Sequence, residues 1–266
     1  MYKKPYRIKR KKSILKNKFF WLGFLFLVLA GGIIYLVCFA PFFQIKEISI
    51  SGCQKVKIQE LENSIRGQIV KNIAFFSTQS IFLVNSGKMA SEIIKNFPQI
   101  EKISFKRGLL NKLAVSVEER KPIAFLCQEE KCFLIDKNGV AFEQTSETDY
   151  QGPKIKSRIL LSEIKPGEII IESKQIEQIL KINSELSGDL KISLQEFDMI
   201  SEQRMNVKTA EAWEIYFNLK GDIDWQITEL KTILGNKILP KNWKNLDYID
   251  LRFDRVFVSP EGLMFD

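Results

Sequence analysis

The chain of 266 residues contains no histidine. That absence removes Ser-His-Asp and Cys-His nucleophilic catalysis and every imidazole metal site. A hydrolase or transferase built on this chain needs a Ser-Lys arrangement or a pair of framed carboxylates instead. No S-x-x-K stands beside a supporting motif, no G-x-S-x-G occurs, and no carboxylate pair sits inside an apolar run. Of the four cysteines, Cys127 and Cys132 flank Gln128-Glu129-Glu130-Lys131, a hairpin loop between the strand-like runs Pro122–Cys127 and Cys132–Asp136. Facing positions on such a hairpin can be bridged; two free, half-buried thiols are the alternative. One C-x4-C pair makes no metal site. Asp136, ahead of Asn138-Gly139, lacks the spacing of an EF-hand loop and reads as turn chemistry. Asp250 and Arg252, two apart on one strand face, read as a solvated ion pair worth under about 1 kcal/mol. Glu118, Glu119, Arg120 and Lys121 read as a solvated strand end, and Trp213, Trp225 and Trp243 as core or edge-of-core residues. These residue types point away from an enzyme, and they imply no cofactor and no metal.

The elements that carry these residues begin with an anchor. Phe19 to Ala40 are 22 uncharged, almost wholly apolar residues. At about 1.5 Å per residue they make about 33 Å of helix, enough for a hydrocarbon core of about 30 Å. Residues 1–18 carry Lys3, Lys4, Arg7, Lys9, Arg10, Lys11, Lys12, Lys16 and Lys18 and no acid. The positive-inside rule then keeps the N-terminus in the cytoplasm and puts everything after Pro41 outside. A cleaved signal is the competing reading, but its apolar region is usually about 7 to 15 residues, and Cys38-Phe39-Ala40 is a poor cleavage site. The net charge of +8 belongs to this tail: without its nine bases, 31 basic residues face 32 acidic ones. A pI near 9.2 is therefore no nucleic-acid footprint on a folded domain. The tail's own chemistry suits anionic headgroups of the lipid bilayer, and a bare topology signal with no partner is the alternative reading.

Beyond the anchor the patterning suggests two cores. Phe43–Ser51 reads as a strand closed by Gly52, and Val56 to Arg66 as a helix stopped at Gly67. After Ile81-Phe82-Leu83-Val84, Ser86 can cap a second helix that ends before Pro98. Ile100–Lys106 and Lys112–Glu118 then read as strands. Strand, helix, helix, strand, strand packs economically as a two-layer α+β module. From Arg120-Lys121-Pro122 the texture changes to short strands: Phe133–Asp136 and Val140–Phe142 around Asn138-Gly139, then Ile192–Phe197, Met205–Lys208, Trp213–Leu219, Leu246–Phe253 and Val256–Ser259. Gln175 to Leu186 reads as a helix, and Asp224 can cap another that ends at Gly235. Thr145 to Arg158 is polar and reads as a loop.

This layout resembles the FtsQ/DivIB family of bacterial cell-division proteins. Four stretches carry the resemblance: Phe43 to Gly52; Asn96-Phe97-Pro98-Gln99-Ile100 with Val117 to Ala124; Leu134-Ile135-Asp136-Lys137-Asn138-Gly139-Val140; and Tyr248-Ile249-Asp250-Leu251-Arg252-Phe253. It implies an α+β chain with a basic cytoplasmic tail (1–18), a single transmembrane helix (19–40), a POTRA module (42–120), a β-domain (121–259) and a short C-terminal tail (260–266). It also implies a non-catalytic divisome scaffold, enriched at the septum, that associates with FtsB-like and FtsL-like membrane proteins. The rival readings are a membrane-anchored cell-wall enzyme and a POTRA-bearing subunit of a transport assembly. The latter usually shows repeated modules or a downstream barrel.

The contact with the partner is expected at the C-terminal block. Ile249, Leu251 and Phe253 alternate with Tyr248, Asp250 and Arg252, and the alternation breaks at Asp254-Arg255. Val256, Phe257 and Val258 come next, apolar in succession, more than a half-exposed edge strand needs by itself. The partner-binding residues expected are Tyr248, Asp250, Arg252, Phe253, Val256, Phe257 and Val258; the alternative is that 256–259 is an inner strand already paired on both sides.

Overall fold

The computed structural model describes residues 18–73, 75–108, 111–129, 131–159, 163–238 and 240–260. The tail expected at 1–18, apart from Lys18, and all but Pro260 of the one expected at 260–266 lie outside the described residues. The chain divides into two compact units. One holds the residues up to Cys53 with Lys57–Ile93 and Ile103–Val117; the other holds Gln54–Val56, Ile94–Lys102 and everything from Glu118.

In the first unit, α1 (Lys18–Phe39) is long and apolar enough to cross a membrane, and only 6% of its most apolar stretch is buried. A helix apolar on every side, with almost none of it covered by protein, has no core to sit in. After α1 come a 3-10 turn (Pro41–Phe43), β1 (Glu47–Ser51) and α2 (Ile58–Ile69). The helix runs through Gly67 and does not stop there, because Ile69 joins Leu61 and Ile65 on the buried stripe. Next stands a hairpin that sequence patterning missed, β2 (Lys71–Ile73) with β3 (Phe76–Thr78), a two-stranded sheet of its own. Ile81–Leu83 forms a 3-10 turn, and α3 (Ser86–Asn96) comes after it. Its first turn is capped by Asn85, whose Oδ1 accepts from the Lys88 N–H at 3.0 Å, not by Ser86. β4 (Ile100–Arg107) and β5 (Lys112–Glu119) complete a sheet of order β1-β5-β4, with β1 parallel to β5. Strand, helix, helix, strand, strand is the order expected, with the hairpin inserted.

The second unit is built on one nine-stranded sheet of order β14-β13-β12-β11-β10-β9-β6-β7-β8. Its strands are β6 (Ala124–Gln128), β7 (Lys131–Ile135), β8 (Ala141–Thr145), β9 (Lys154–Ser157), β10 (Leu194–Met199), β11 (Arg204–Thr209), β12 (Glu214–Asn218), β13 (Tyr248–Asp250) and β14 (Phe257–Ser259). The helices α4 (Ser173–Ser184) and α5 (Ile223–Asn236) supply Ile176, Ile179, Ile182, Ile227 and Leu230 to its core, with Leu126, Ile135, Phe197, Met205, Phe217 and Ile249 from the strands. Asp222 caps α5 by accepting from the Trp225 N–H at 3.1 Å, two residues ahead of the expected Asp224.

The large sheet departs from the sequence expectation in two places. The stretch read as a polar loop contains β9, which pairs in parallel with both β6 and β10 and joins the halves of the sheet. Ile155 is its single core residue, and the flanking Lys154 and Lys156 reach Glu147 at 2.6 Å and Glu196 at 2.8 Å. The Asp136–Val140 turn has positive φ at Gly139 alone, not at Asn138 as well. It is held by Asp136, whose Oδ1 accepts from the N–H groups of Asn138 and Val140, both at 2.9 Å.

Glu119 and Arg120 are not a solvated strand end. The Glu119 carboxylate accepts from the backbone N–H of Gln54, Lys55 and Val56 at 2.8 to 3.0 Å. Arg120 donates Nε to the Pro98 carbonyl at 2.9 Å and Nη1 to the buried Asp136 carboxylate at 2.5 Å. Cys127 and Cys132 face each other in the β6–β7 register and form a disulfide, so they offer no thiolate to a metal. Both sulfurs lie in a small second cluster with Phe125, Leu134, Phe142 and Tyr150 on the sheet.

Candidate partner-binding surface

β14 is an outermost strand. It pairs antiparallel with β13, Ile249 opposite Val258 and Asp250 opposite Phe257, and among the described residues it has a strand neighbour on that side only. At the other edge of the sheet, the start of β8 is covered. Val140 bridges to Ile169, and the N–H groups of Ala141 and Gly167 bond to the carbonyls of Glu168 and Ala141. An unpaired strand edge left in the open is a template for another chain.

The expected residues do gather here, though not all as the alternation suggested. β13 ends at Asp250, so Arg252 and Phe253 lie beyond the strand, and Val256 lies just ahead of β14. Leu251 and Val258 are buried, Val256 is half-buried against the core, and Phe253 and Phe257 are 54% and 52% exposed. Phe253 therefore does not share the buried face of Ile249 and Leu251. The cause is Asp250. Its Oδ1 accepts from the Arg252 N–H at 3.1 Å and from Arg252 Nε at 2.8 Å, and its Oδ2 accepts from Arg252 Nη2 at 2.5 Å. This three-bond clamp folds the chain out of the strand. Asp250 is only 6% exposed, so the pair is not the solvated one expected. Charge-assisted bidentate bonds of this kind are the strong ones. The hydrogen bond that Arg252 donates to Asp250, outweighing burial, holds the guanidinium above its ordinary range.

Around that clamp lies an aromatic and cationic patch. Phe253 and Phe257 meet edge to face at 5.9 Å, and the Arg252 guanidinium covers the Phe253 ring at 5.2 Å. Arg252 also lies 5.5 Å from the Tyr216 ring, which stacks on Tyr248 at 5.1 Å and carries Arg204 at 4.7 Å. Burial, joined by the Glu214 charge, raises the Tyr216 phenol above its ordinary range. Tyr216 and Arg204 belong to the patch, yet sequence reading missed them. Tyr216 sits between the core residues Ile215 and Phe217 on β12, so the polar face of that alternation was the available signal. Beside Phe253 a groove of about 470 Å³ runs past Trp225, Asn218 and Asp254. The patch offers stacking rings, guanidinium donors and a backbone edge with no further strand on it among the described residues, which is the equipment of β-augmentation.

Residues 124–252 match the model of the cell division protein FtsQ/DivIB C-terminal family. The chain is 26% identical over 215 residues to the cell division protein DivIB of Clostridium acetobutylicum, covering 80% of this chain and 81% of that one. It is 24% identical to the DivIB of Clostridium tetani, over 68% of this chain and 65% of the relative. With the cell division protein FtsQ of Koribacter versatilis it shares 24% identity, over 80% of this chain and 61% of the relative. Among solved structures it matches the major extracytoplasmic domain of DivIB from Geobacillus stearothermophilus, at 14% identity and a TM-score of 0.29, over 46% of this chain and 99% of that one.

Proposed function

We propose that this chain, whose residues 124–252 match the FtsQ/DivIB C-terminal family and which is similar to DivIB over 215 residues, is a membrane-anchored, non-catalytic scaffold of the division machinery whose β14 edge takes up an extended segment of an FtsB-like protein. The observation that carries this reading is the open outer strand with Phe253, Phe257 and the Arg252 clamp beside it. An added strand gains main-chain hydrogen bonds along β14, while the two phenylalanines and Tyr248 supply side-chain recognition. An FtsL-like protein is the second partner of the same assembly. The Lys/Arg tail supports an N-terminus in the cytoplasm with both folded units outside, and a divisome role implies enrichment at the septum. The POTRA module, 42–120, serves recruitment, and the β-domain, 121–259, serves the partner.

Phe257→Lys tests the edge directly. The side chain is half in solvent, so the thermal midpoint should stay within a degree or two of wild type. Co-purification of the FtsB-like protein from detergent-solubilised membranes should be lost. Retained co-purification, or a collapse of the midpoint, excludes β14 as the binding edge. A fluorescent fusion of the full chain gathering at midcell supports the divisome placement, and uniform membrane fluorescence counts against it.

A further inference from the structure

The β2–β3 hairpin shows two of its largest apolar side chains to the outside. Phe75 at its tip is 97% exposed and Phe76 is 66% exposed, with Ile73 opposite Phe76 in the register. A two-stranded ribbon on its own is marginal in water, and an exposed aromatic tip makes it costlier still. Its base is tied to the far end of α1. Thr78 Oγ1 and Gln44 Nε2 both donate to the Cys38 carbonyl, and Ser80 Oγ donates to the Val37 carbonyl at 2.7 Å. The Gln79 N–H in turn donates to Gln44 Oε1 at 2.8 Å. These bonds satisfy carbonyls that the last turn of a helix otherwise leaves orphaned. The Phe76 ring lies 5.9 Å from that of Phe39, the last residue of α1. Phe42 and Phe82 are exposed nearby in the chain's path around the same helix end, and Phe82 meets Phe43 at 5.1 Å.

We propose that the hairpin tip, Phe75 and Phe76 with Ile73, inserts into the interfacial layer of the bilayer at the outer end of α1 and seats the first unit on the membrane. The proposal rests on α1 spanning that bilayer. Twenty-two residues at about 1.5 Å each reach about 33 Å, so Phe39 lies at the edge of a hydrocarbon core of about 30 Å. A ring in contact with Phe39 is then at headgroup level, where aromatic side chains gain most from being half in lipid. The lipid surface is the occupant because the apolar patch is continuous with the apolar span through the Phe39–Phe76 contact.

The test uses the full chain reconstituted in vesicles whose lipids carry bromine at a shallow or a deep acyl position, which quench nearby tryptophan. The built-in reporter of the span is Trp21 on α1, read as the difference between wild type and Trp21→Phe. The reporter of the hairpin is Phe75→Trp, a substitution at a nearly bare position, read as its difference from wild type. Expected are loss of the added emission in shallow-brominated vesicles and a maximum shifted to the blue. Quenched Trp21 with a water-exposed, unquenched residue 75 overturns the hairpin insertion alone. An unquenched Trp21 overturns the span and the insertion with it. Blue-shifted but unquenched emission at residue 75 assigns the patch to a second protein chain and also overturns the proposal.

Discussion

Glu119 and Asp250 are carboxylates that work on backbone as well as on charge. Burial alone pushes the Glu119 carboxyl up, but backbone hydrogen bonds from Val56, Lys55 and Gln54, helped by the Lys55 charge, outweigh it and hold it below the ordinary carboxylate range. A folded pKa below the unfolded one means stability that is whole above the unfolded carboxylate range and drains away as pH falls through the folded value. Glu119→Ala leaves three N–H groups without this acceptor and is expected to cost about 2 kcal/mol by chemical denaturation at neutral pH. Glu119→Gln should lose the corresponding part of the acid limb. At the other end of the chain, Arg252→Ala strips the clamp from a buried Asp250 and should cost about 3 kcal/mol, whereas Phe257→Lys should cost almost nothing. Of this polar work the sequence showed only the pairing of Asp250 with Arg252, not its burial, and nothing of what Glu119 and Arg120 hold. Glu119-Arg120 and Asp250/Arg252 have the composition of solvated pairs, and their partners, Gln54–Val56 and Pro98 for the first, lie too far along the chain for spacing to reveal. The hydrophobic positions around them were legible because burial repeats with a period and hydrogen-bond partners do not.

Elements were readable in proportion to how many apolar residues each one buries. α2, α3, α4 and α5 each show a stripe and were found, with errors confined to caps and ends such as Gly67 and Asp224. β9 buries Ile155 and little else, and its lysines outnumber its core residue, so nothing in a window of four residues separates it from a loop. The β2–β3 hairpin was hidden for the opposite reason, since none of Lys71, Asn72, Ile73, Phe76 and Ser77 is buried in protein. The turn between β7 and β8 was found from Asn138-Gly139, and its demand on Gly139 is stricter than a hairpin alone implies. A Cβ there would lie 1.8 Å from the Ile171 carbonyl oxygen, at a φ of +75°. Gly139→Ala should therefore destabilise by about 2 kcal/mol or more, and a lowered urea midpoint with unchanged slope is the measurement.

At the scale of the whole molecule the chain is two cores on one anchor, with residues 54–56 and 94–102 clustering with the second. Arg120 ties into that second unit through Pro98 and Asp136, so the start of a fragment matters. A fragment from Glu118 onward should melt cooperatively and exceed one from Lys121 by about 3 kcal/mol, because only the first keeps a cation against the buried Asp136. Equal midpoints for the two fragments would discount the Arg120–Asp136 pair.

The strand order of the large sheet also sets a schedule. β6, β7 and β8 succeed one another through short hairpins and can pair as soon as they emerge. β10 can extend that sheet only on β9, and the parallel steps β9–β10 and β12–β13 must wait for α4 and α5 to be laid down between them. Closing those long loops is the slow, entropically expensive part of assembly. Among the described residues β14 is both the last strand made and an outermost one, so its backbone edge comes into being only after every other described strand has been synthesised. On the proposed reading, a partner that pairs with β14 would bind chains in which that strand has been made and pass over shorter ones. Chains halted at Asn218 during membrane export should be invisible to such a partner, while chains halted well past Pro260 should be captured.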